Sequence, residues 1–149
     1  MNYMKIALDE AYNGIRNGEG GPFGAVIVRD GEIIGKGHNR VLADHDPTMH
    51  GEVAAIRNAC RNIGSHSLKG CTLYTTAYPC PMCMSAALWS GIDRIVYGCT
   101  VTDTAGIGFS DNDFYNAIKS GDAIPLECEE RESCLELFKE YESLKAQRY

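Results

Sequence analysis

The sequence has no long hydrophobic run and no basic leader. None of its apolar stretches approaches the roughly 20 residues that span a bilayer, and the segment MNYMKIALDEAYNGIRNG does not place a basic stretch before an uninterrupted apolar one. We therefore predict a cytoplasmic protein. Repeats and low-complexity tracts are also missing from its 149 residues, and a hydrophobic content of 44% is typical of a globular chain, so we expect a single domain over residues 1–149.

An excess of positive charge is absent as well. The net charge is −6 at pH 7, whereas broad binding to a phosphate backbone depends on clustered lysines and arginines. Any nucleic-acid contact would therefore be confined to a small basic groove. The seven cysteines are an odd number without an export signal, which argues against a disulfide framework and favours reduced thiols and a metal site.

Apolar spacing predicts alternating helices and strands in the first hundred residues. The segment MKIALDEAYNGIRNG has helical periodicity, and two β-rich runs follow it, joined by Asp30-Gly31, which is typical of a two-residue hairpin turn. A helix is predicted over DPTMHGEVAAIRNACR, with Pro47 near its start. The strand CTLYTT, the helix PCPMCMSAALWSG with Pro79 in its first turn, and the strand DRIVYGC then indicate a parallel crossover.

The last third of the sequence predicts three further elements. An irregular glycine-rich stretch leads to a short helix at DFYNAIKSG, a fifth strand at AIPLEC and a charged amphipathic helix at ERESCLELFKEYESLKAQ. Together the elements predict an α/β fold, a three-layer α/β/α sandwich around a mixed five-stranded sheet. Its hairpin would be antiparallel and its other strands largely parallel.

Cys80 and Cys83 are candidate metal ligands. They lie three residues apart in PCPMC, so on a helix they share one face and can hold one ion. A redox pair is the alternative, but His50, at the start of another predicted helix, offers a third ligand. The N-termini of helices stabilise thiolates, and three protein ligands leave one position of a tetrahedral zinc open for water.

Glu52 is the candidate acid–base group of this centre. It follows His50 by two residues, so its carboxylate can take a proton from water at the open position. His-x-Glu, 26 intervening residues and then Pro-Cys-x-x-Cys form the signature of zinc-dependent nucleobase deaminases. A zinc-stabilised binding module without enzymatic activity is the alternative, and in such a module Glu52 would be dispensable.

Several longer stretches carry a family resemblance. They are GGPFGAVIVRDG, GHN, DPTMHGEVAAIRNAC, LYTT, PCPMC, ALW and GFSDNDFY, together with a final tyrosine. With them the chain resembles the cytidine and nucleobase deaminase superfamily over nearly its whole length, and it is most similar to the bacterial guanine deaminases. The resemblance implies a cytidine deaminase-like fold, one zinc ion per subunit on His50, Cys80 and Cys83, and Glu52 as the proton shuttle.

The resemblance also implies a set of substrate-binding residues. Asn39 and Asp111 would hydrogen-bond the base, and Phe23 and Trp89 would form its apolar walls. Tyr149 would reach an active site, often the partner subunit's, after two subunits of a homodimer exchange their C-terminal segments. The residues alone leave other roles open. Phe23 and Trp89 could be core residues, Asn39 could be a turn residue, and Asp111 could cap a helix. The tyrosine could equally belong to a frayed end.

Two positions depart from the family pattern. Members commonly read His-Ala-Glu and Glu-Pro-Cys, whereas this sequence has Gly51 and Tyr78 at the middle and first positions of those triplets. Gly51 allows the backbone to approach a ligand closely and is a further candidate contact, while Tyr78 removes an acid at the pocket rim. His-Gly-Glu, CTLYTT and ERESCLELFKEY are also similar to fungal cytosine deaminases.

These features together predict hydrolytic deamination of a free purine base with release of ammonia. The expected substrate is guanine or an analogue such as 8-oxoguanine. Cytosine deamination is the first alternative. Deamination of adenosine in tRNA is the second, and the acidic balance and the lack of a basic C-terminal helix disfavour it.

Overall fold

The computed structural model describes residues 1–121 and 123–149. Along the chain its elements are α1 (Tyr3–Arg16), β1 (Gly24–Arg29), β2 (Glu32–His38), α2 (Val41–Asp44), α3 (Gly51–Ile63), β3 (Cys71–Ala77), α4 (Pro81–Ser90), β4 (Arg94–Cys99), α5 (Val101–Gly106), α6 (Asp111–Ser120) and α7 (Arg131–Ser143). Among the described residues, none of the helices has the length and hydropathy needed to cross a membrane.

The four strands form one mixed sheet in the order β2-β1-β3-β4. Strand β1 is antiparallel to both β2 and β3, and β3 is parallel to β4. The hairpin between β1 and β2 turns at Asp30 and Gly31, which both have positive φ, as the dipeptide predicts. The crossover through α4 is parallel as predicted, but it supplies the only parallel pair among the described strands.

Strand β1 separates two hydrophobic clusters because its successive side chains point to opposite faces of the sheet. Ala25 and Ile27 pack in one cluster with Ala55 and Ala59 of α3. Val26 and Val28 belong to the other cluster, which includes Ala7 of α1. The sheet therefore lies between α1 on one face and α3 on the other, which confirms the three predicted layers.

The predicted fifth strand is wrong. Residues 123–128 are all described, and they form no strand. Pro125 has no N–H to donate to a sheet, and after β4 the chain enters α5 and α6 instead of returning to the edge of the sheet. Ile124 and Leu126 remain 72% and 86% exposed. The apolar residues that suggested a buried strand thus belong to a solvent-exposed connection between α6 and α7.

Two helix boundaries also differ from the sequence pattern. Helix α4 begins at Pro81 rather than at Pro79, since Cys80 is the N-cap and a proline at the first helical position lacks only an N–H that would be unpaired there. Helix α5 lies in the stretch that was expected to be irregular. Its start is stabilised by a capping box between Thr100 and Asp103.

Candidate active site

The N-termini of α3 and α4 meet at one point. His50 is the N-cap residue of α3, Cys80 is the N-cap residue of α4, and Cys83 lies in the first turn of α4. Both caps have extended backbone, so each side chain stands at the mouth of its helix. Unpaired N–H groups and the positive end of the helix dipole therefore face the side chains that would carry thiolate charge.

These three side chains form a compact cluster of possible metal ligands. The His50 Nδ1 atom lies 3.4 Å from the Cys80 Sγ and 3.5 Å from the Cys83 Sγ. All three ligand atoms lie within 4.8 Å of one another. One imidazole nitrogen and two sulfurs are the donor set that zinc prefers, and three ligands are the number found in catalytic zinc sites. The residues therefore fit zinc.

The charges within the cluster favour a cation. Contact with the Cys83 thiol and with His50 lowers the pKa of Cys80 to about 4. The hydrogen bond with Cys80 raises the pKa of His50, and the same neighbour raises the pKa of Cys83. One thiolate therefore forms readily, whereas a second needs additional positive charge. A divalent cation would supply that charge and would hold both cysteines as thiolates.

Glu52 lies beside the cluster in the first turn of α3. Its side chain is 5% exposed and lines the same cavity as His50 and Cys80. Burial raises the pKa of Glu52 to about 7. A carboxyl group with such a pKa gains and loses a proton near neutral pH, as a general acid–base catalyst requires.

The cavity above Glu52 has a volume of about 520 Å³, which is adequate for a small planar ligand. Asn39 is buried in its wall, where its Oδ1 accepts a hydrogen bond of 3.0 Å from the Val41 N–H. Asp111, the first residue of α6, lines the cavity as well, and burial raises its pKa. The structure thus brings Asn39, Asp111 and Glu52 to one cavity.

Aromatic side chains form much of the remaining wall. Phe23 lines the cavity with Phe109, and the two rings meet edge to face with centroids 5.0 Å apart. The sequence suggested Phe23 but missed Phe109, although Phe109 stands in the quoted stretch GFSDNDFY. Tyr78 also lines the cavity and packs against Tyr97 with centroids 5.1 Å apart. The position that departs from the family pattern is therefore part of the wall.

Gly51 does not line the cavity, but it allows close packing of Phe23, which does. A Cβ atom at this position would lie 2.8 Å from the Phe23 carbonyl oxygen. The glycine therefore permits close packing between the start of α3 and the residue before β1. This packing places Phe23 directly against the segment that carries His50 and Glu52.

Trp89 and Tyr149 lie elsewhere in this chain. Their rings are 6.0 Å apart and 70% and 81% exposed. Together with His66, Lys69 and Arg148 they line a second cavity of about 320 Å³. Within one chain, the structure therefore does not bring these two predicted substrate contacts to the cavity that contains Glu52.

The first two thirds of the sequence match a known protein family. The family described as the cytidine and deoxycytidylate deaminase zinc-binding region matches residues 1–99. This range contains the two helix N-termini that carry His50, Glu52, Cys80 and Cys83. It ends before Phe109 and Asp111, which also line the cavity.

Curated relatives extend the similarity beyond this region. The chain is 47% identical to the guanine deaminase of Bacillus subtilis over 116 residues, which are 78% of this chain and 74% of the relative. It is 42% identical to the tRNA-specific adenosine deaminase of Aquifex aeolicus over 105 residues, 70% of this chain and 69% of that protein.

The crystal structure of the guanine deaminase from Bacillus subtilis is similar over the whole length of the chain. The superposition has a TM-score of 0.93 at 39% identity and covers 100% of this chain and 99% of the other. The similarity therefore includes the C-terminal part, which the family match does not reach.

Proposed function

Since the chain belongs to the zinc-binding cytidine and deoxycytidylate deaminase family, we propose that it catalyses the hydrolytic deamination of a free purine base. The substrate is guanine or a close analogue such as 8-oxoguanine, and the products are the oxo-purine and ammonia. One observation carries the proposal: buried Glu52 lies beside His50 and Cys80 in a cavity that also contains Asn39 and Asp111. The similarity to the Bacillus subtilis guanine deaminase supports a purine substrate.

His50, Cys80 and Cys83 are the proposed ligands of one zinc ion per subunit. Their nitrogen and sulfur atoms and their mutual distances fit this metal. When bound, zinc acts as a Lewis acid and makes water nucleophilic near neutral pH. Residues 1–149 would form a single deaminase domain around this centre.

Glu52 moves the protons of the reaction. Its carboxylate takes a proton from the attacking water, whose oxygen bonds to the ring carbon that bears the exocyclic amine. Glu52 delivers this proton to the ring nitrogen, then takes the second proton from the newly attached hydroxyl group and delivers it to the departing amine. The carbon–nitrogen bond breaks, ammonia leaves and the carbon retains the oxygen. The pKa of about 7 suits a group that must act as base and then as acid.

Asn39 and Asp111 orient the base. The Asn39 Oδ1 already accepts the Val41 N–H, so its amide nitrogen is the group left to donate to a base. The Asp111 carboxylate accepts hydrogen bonds from a ring N–H and an amine, both of which guanine has. A base without these donors would leave the carboxylate unpaired, which lowers its affinity. Phe23 and Phe109 provide apolar contacts to the ring system.

We also propose that the protein is a homodimer in which the C-terminal segment of one subunit completes the site of the other. The apolar residues Leu137 and Phe138 of α7 are exposed in the single chain, as are Leu88 and Trp89 of α4. Exposed apolar side chains that are clustered on a helix are typical of protein–protein interfaces, and these residues fit such an interface. In the dimer, Tyr149 would contact the base in the partner's cavity.

A substrate panel tests the proposed function. Ammonia release is measured with zinc-loaded protein on guanine, 8-oxoguanine, cytosine, cytidine and adenosine-containing RNA. We expect turnover of guanine or 8-oxoguanine and none of the RNA. Activity on cytosine alone would contradict the purine assignment, and activity on the RNA alone would favour the function named for the Aquifex aeolicus relative.

Replacement of the proton shuttle tests the mechanism. The variant Glu52→Gln retains the size of the side chain but cannot exchange protons, so we expect ammonia release to fall by about 10²- to 10⁴-fold. Zinc content, measured by elemental analysis, should stay at one ion per subunit. Exposed Glu32 supplies the matched control Glu32→Gln, which should keep full activity. Undiminished turnover by Glu52→Gln would contradict the mechanism and support a zinc-stabilised binding module.

A further inference from the structure

Tyr115 of α6 is hydrogen-bonded to the segment that leads into α4. Its hydroxyl donates to the Pro79 carbonyl oxygen at 2.7 Å. Pro79 is fully buried, and it is followed directly by Cys80, the N-cap residue of α4 and a proposed zinc ligand. The hydrogen bond therefore joins α6 to the backbone beside the proposed metal centre.

Helix α6 is otherwise packed shallowly on the rest of the chain. None of its residues is buried, and Phe114 and Ile118 are 56% and 63% exposed. Among the residues that the structure describes, the bond from Tyr115 is the only side-chain hydrogen bond between α6 and the rest of the chain. A helix without buried side chains gains little from apolar packing, so one hydrogen bond contributes a large share of what fixes its position.

Tyr115 and Asp111 lie on the same side of α6. They are four residues apart, and side chains at this spacing are neighbours on a helix. Asp111 lines the cavity that contains Glu52. The Tyr115 ring packs near Tyr78, another residue of the cavity wall, with the two ring centroids 6.3 Å apart. The bond to Pro79 thus holds the side of α6 that carries Asp111 against the cavity.

The Tyr115 hydroxyl is well suited to this bond. Burial raises the pKa of Tyr115 to about 12, so the hydroxyl keeps its proton at neutral pH and can donate. The acceptor is the carbonyl of a fully buried residue, and a buried carbonyl that loses its donor is destabilising. Movement of α6 away from Pro79 is therefore unfavourable.

We propose that Tyr115 is a positioning residue, whose hydrogen bond to Pro79 holds α6 so that the Asp111 carboxylate faces a base in the cavity. This inference rests on the proposed function, because Asp111 is taken as a contact to the base. Tyr115 acts through Asp111 and does not line the cavity itself. Its effect therefore falls on substrate binding, and so on KM rather than on kcat.

The variant Tyr115→Phe is the first test, because it keeps the ring and removes only the hydroxyl. With zinc-loaded protein we expect KM for guanine to rise about fivefold, with kcat within about twofold of the original. Tyr97→Phe is the matched control. It removes a hydroxyl from a ring that also packs against Tyr78 but does not bond to Pro79, and it should keep both constants. An unchanged KM in Tyr115→Phe, or a loss confined to kcat, would overturn the inference.

A double-mutant cycle with Asp111 tests the route of the effect. If Tyr115 acts by placing the Asp111 carboxylate, its hydroxyl has nothing left to position once that carboxylate is removed. We therefore expect Tyr115→Phe to change KM by less than about twofold when it is added to Asp111→Ala. A full fivefold rise in that background would show that the two residues act independently, which would overturn the inference.

Hydrogen exchange followed by mass spectrometry tests the anchoring of α6 without turnover. In zinc-loaded Tyr115→Phe, amides of residues 112–120 should exchange at least about threefold faster than in the unaltered protein, whereas those of α1 should exchange at the original rate. Unchanged exchange in α6 would overturn the inference. Absence of guanine turnover by the unaltered protein would instead contradict the proposed function, and the exchange rates would still decide whether Tyr115 holds α6.

Discussion

Gly51 illustrates how one residue is constrained by the backbone of another element. It stands between His50 and Glu52 at the first position of α3, where alanine would ordinarily be preferred in a helix. A Cβ atom there would lie 2.8 Å from the Phe23 carbonyl oxygen and 3.1 Å from the Phe23 carbonyl carbon. Both contacts are to backbone, which cannot move aside as a flexible side chain can.

We expect Gly51→Ala to raise KM for guanine, because the methyl group displaces Phe23 from the cavity wall. Its free energy of unfolding, measured in urea, should not increase despite the better helix propensity of alanine. The control is Gly106→Ala in α5, where a Cβ atom would meet nothing within 4 Å and the unfolding free energy should be unchanged or slightly higher. A stabilised Gly51→Ala variant with an unaltered KM would show that the close packing has no functional effect.

At the scale of elements, helix α5 depends on its first turn. The Asp103 carboxylate accepts hydrogen bonds from the Thr100 N–H at 2.8 Å and from the Thr100 hydroxyl at 3.0 Å. The Thr100 hydroxyl oxygen accepts the Asp103 N–H at 3.2 Å. The bonds from Thr100 lower the pKa of Asp103. This capping box starts the segment that leads to Phe109 and Asp111.

Thr100→Ala is therefore expected to lower the free energy of unfolding by about 1 kcal/mol. Thr102→Ala, an exposed substitution within the same helix, is the matched control and should have a much smaller effect. A lowered pKa in the folded state means that the Asp103 contacts stabilise above the ordinary carboxyl pKa and are lost as pH falls through the lowered value. The difference between Thr100→Ala and the unaltered protein should accordingly shrink in acid. Equal unfolding curves for the two variants would exclude a stabilising cap.

At the scale of the whole molecule, the C-terminal helix raises the question of assembly. Helix α7 has no buried residue, and its Phe138 is 65% exposed. Tyr149 lies against Trp89, away from the cavity of its own chain. The dimer that we propose would cover these apolar surfaces and would bring Tyr149 to the partner's cavity.

We expect sedimentation velocity to show a dimer, and Phe138→Asp to shift it towards the monomer because a buried unpaired charge opposes association. Ammonia release should fall together with the dimer. Ser143→Asp adds the same charge at the exposed end of α7 and should leave both measurements unchanged. A fully active monomeric protein would contradict the proposed exchange of C-terminal segments.

Local chemistry explains which features could be predicted from the sequence. The turn at Asp30-Gly31 follows from the φ values that this dipeptide accepts, and the strand–helix–strand crossover follows from hydrophobic patterning. The spacing of Cys80 and Cys83 and the position of His50 before a helix likewise indicated a zinc centre. The turn, the crossover and the cysteine pair depend on residues that are close in the chain, so a short segment carries the information. His50 lies 30 residues before Cys80, and the spacing of the deaminase signature relates the two.

Tertiary structure alone decided the features that depend on distant partners. Residues 123–128 have the apolar pattern of a strand, but a strand needs an edge to pair with, and the fold carries the chain away from β4. Phe109 lines the cavity only because the segment between α5 and α6 packs against Phe23. The His38 ring contacts Glu10 and Glu19 from two other segments, in a space that Gly14 provides. Contacts across long chain separations arise from packing, which no local pattern specifies.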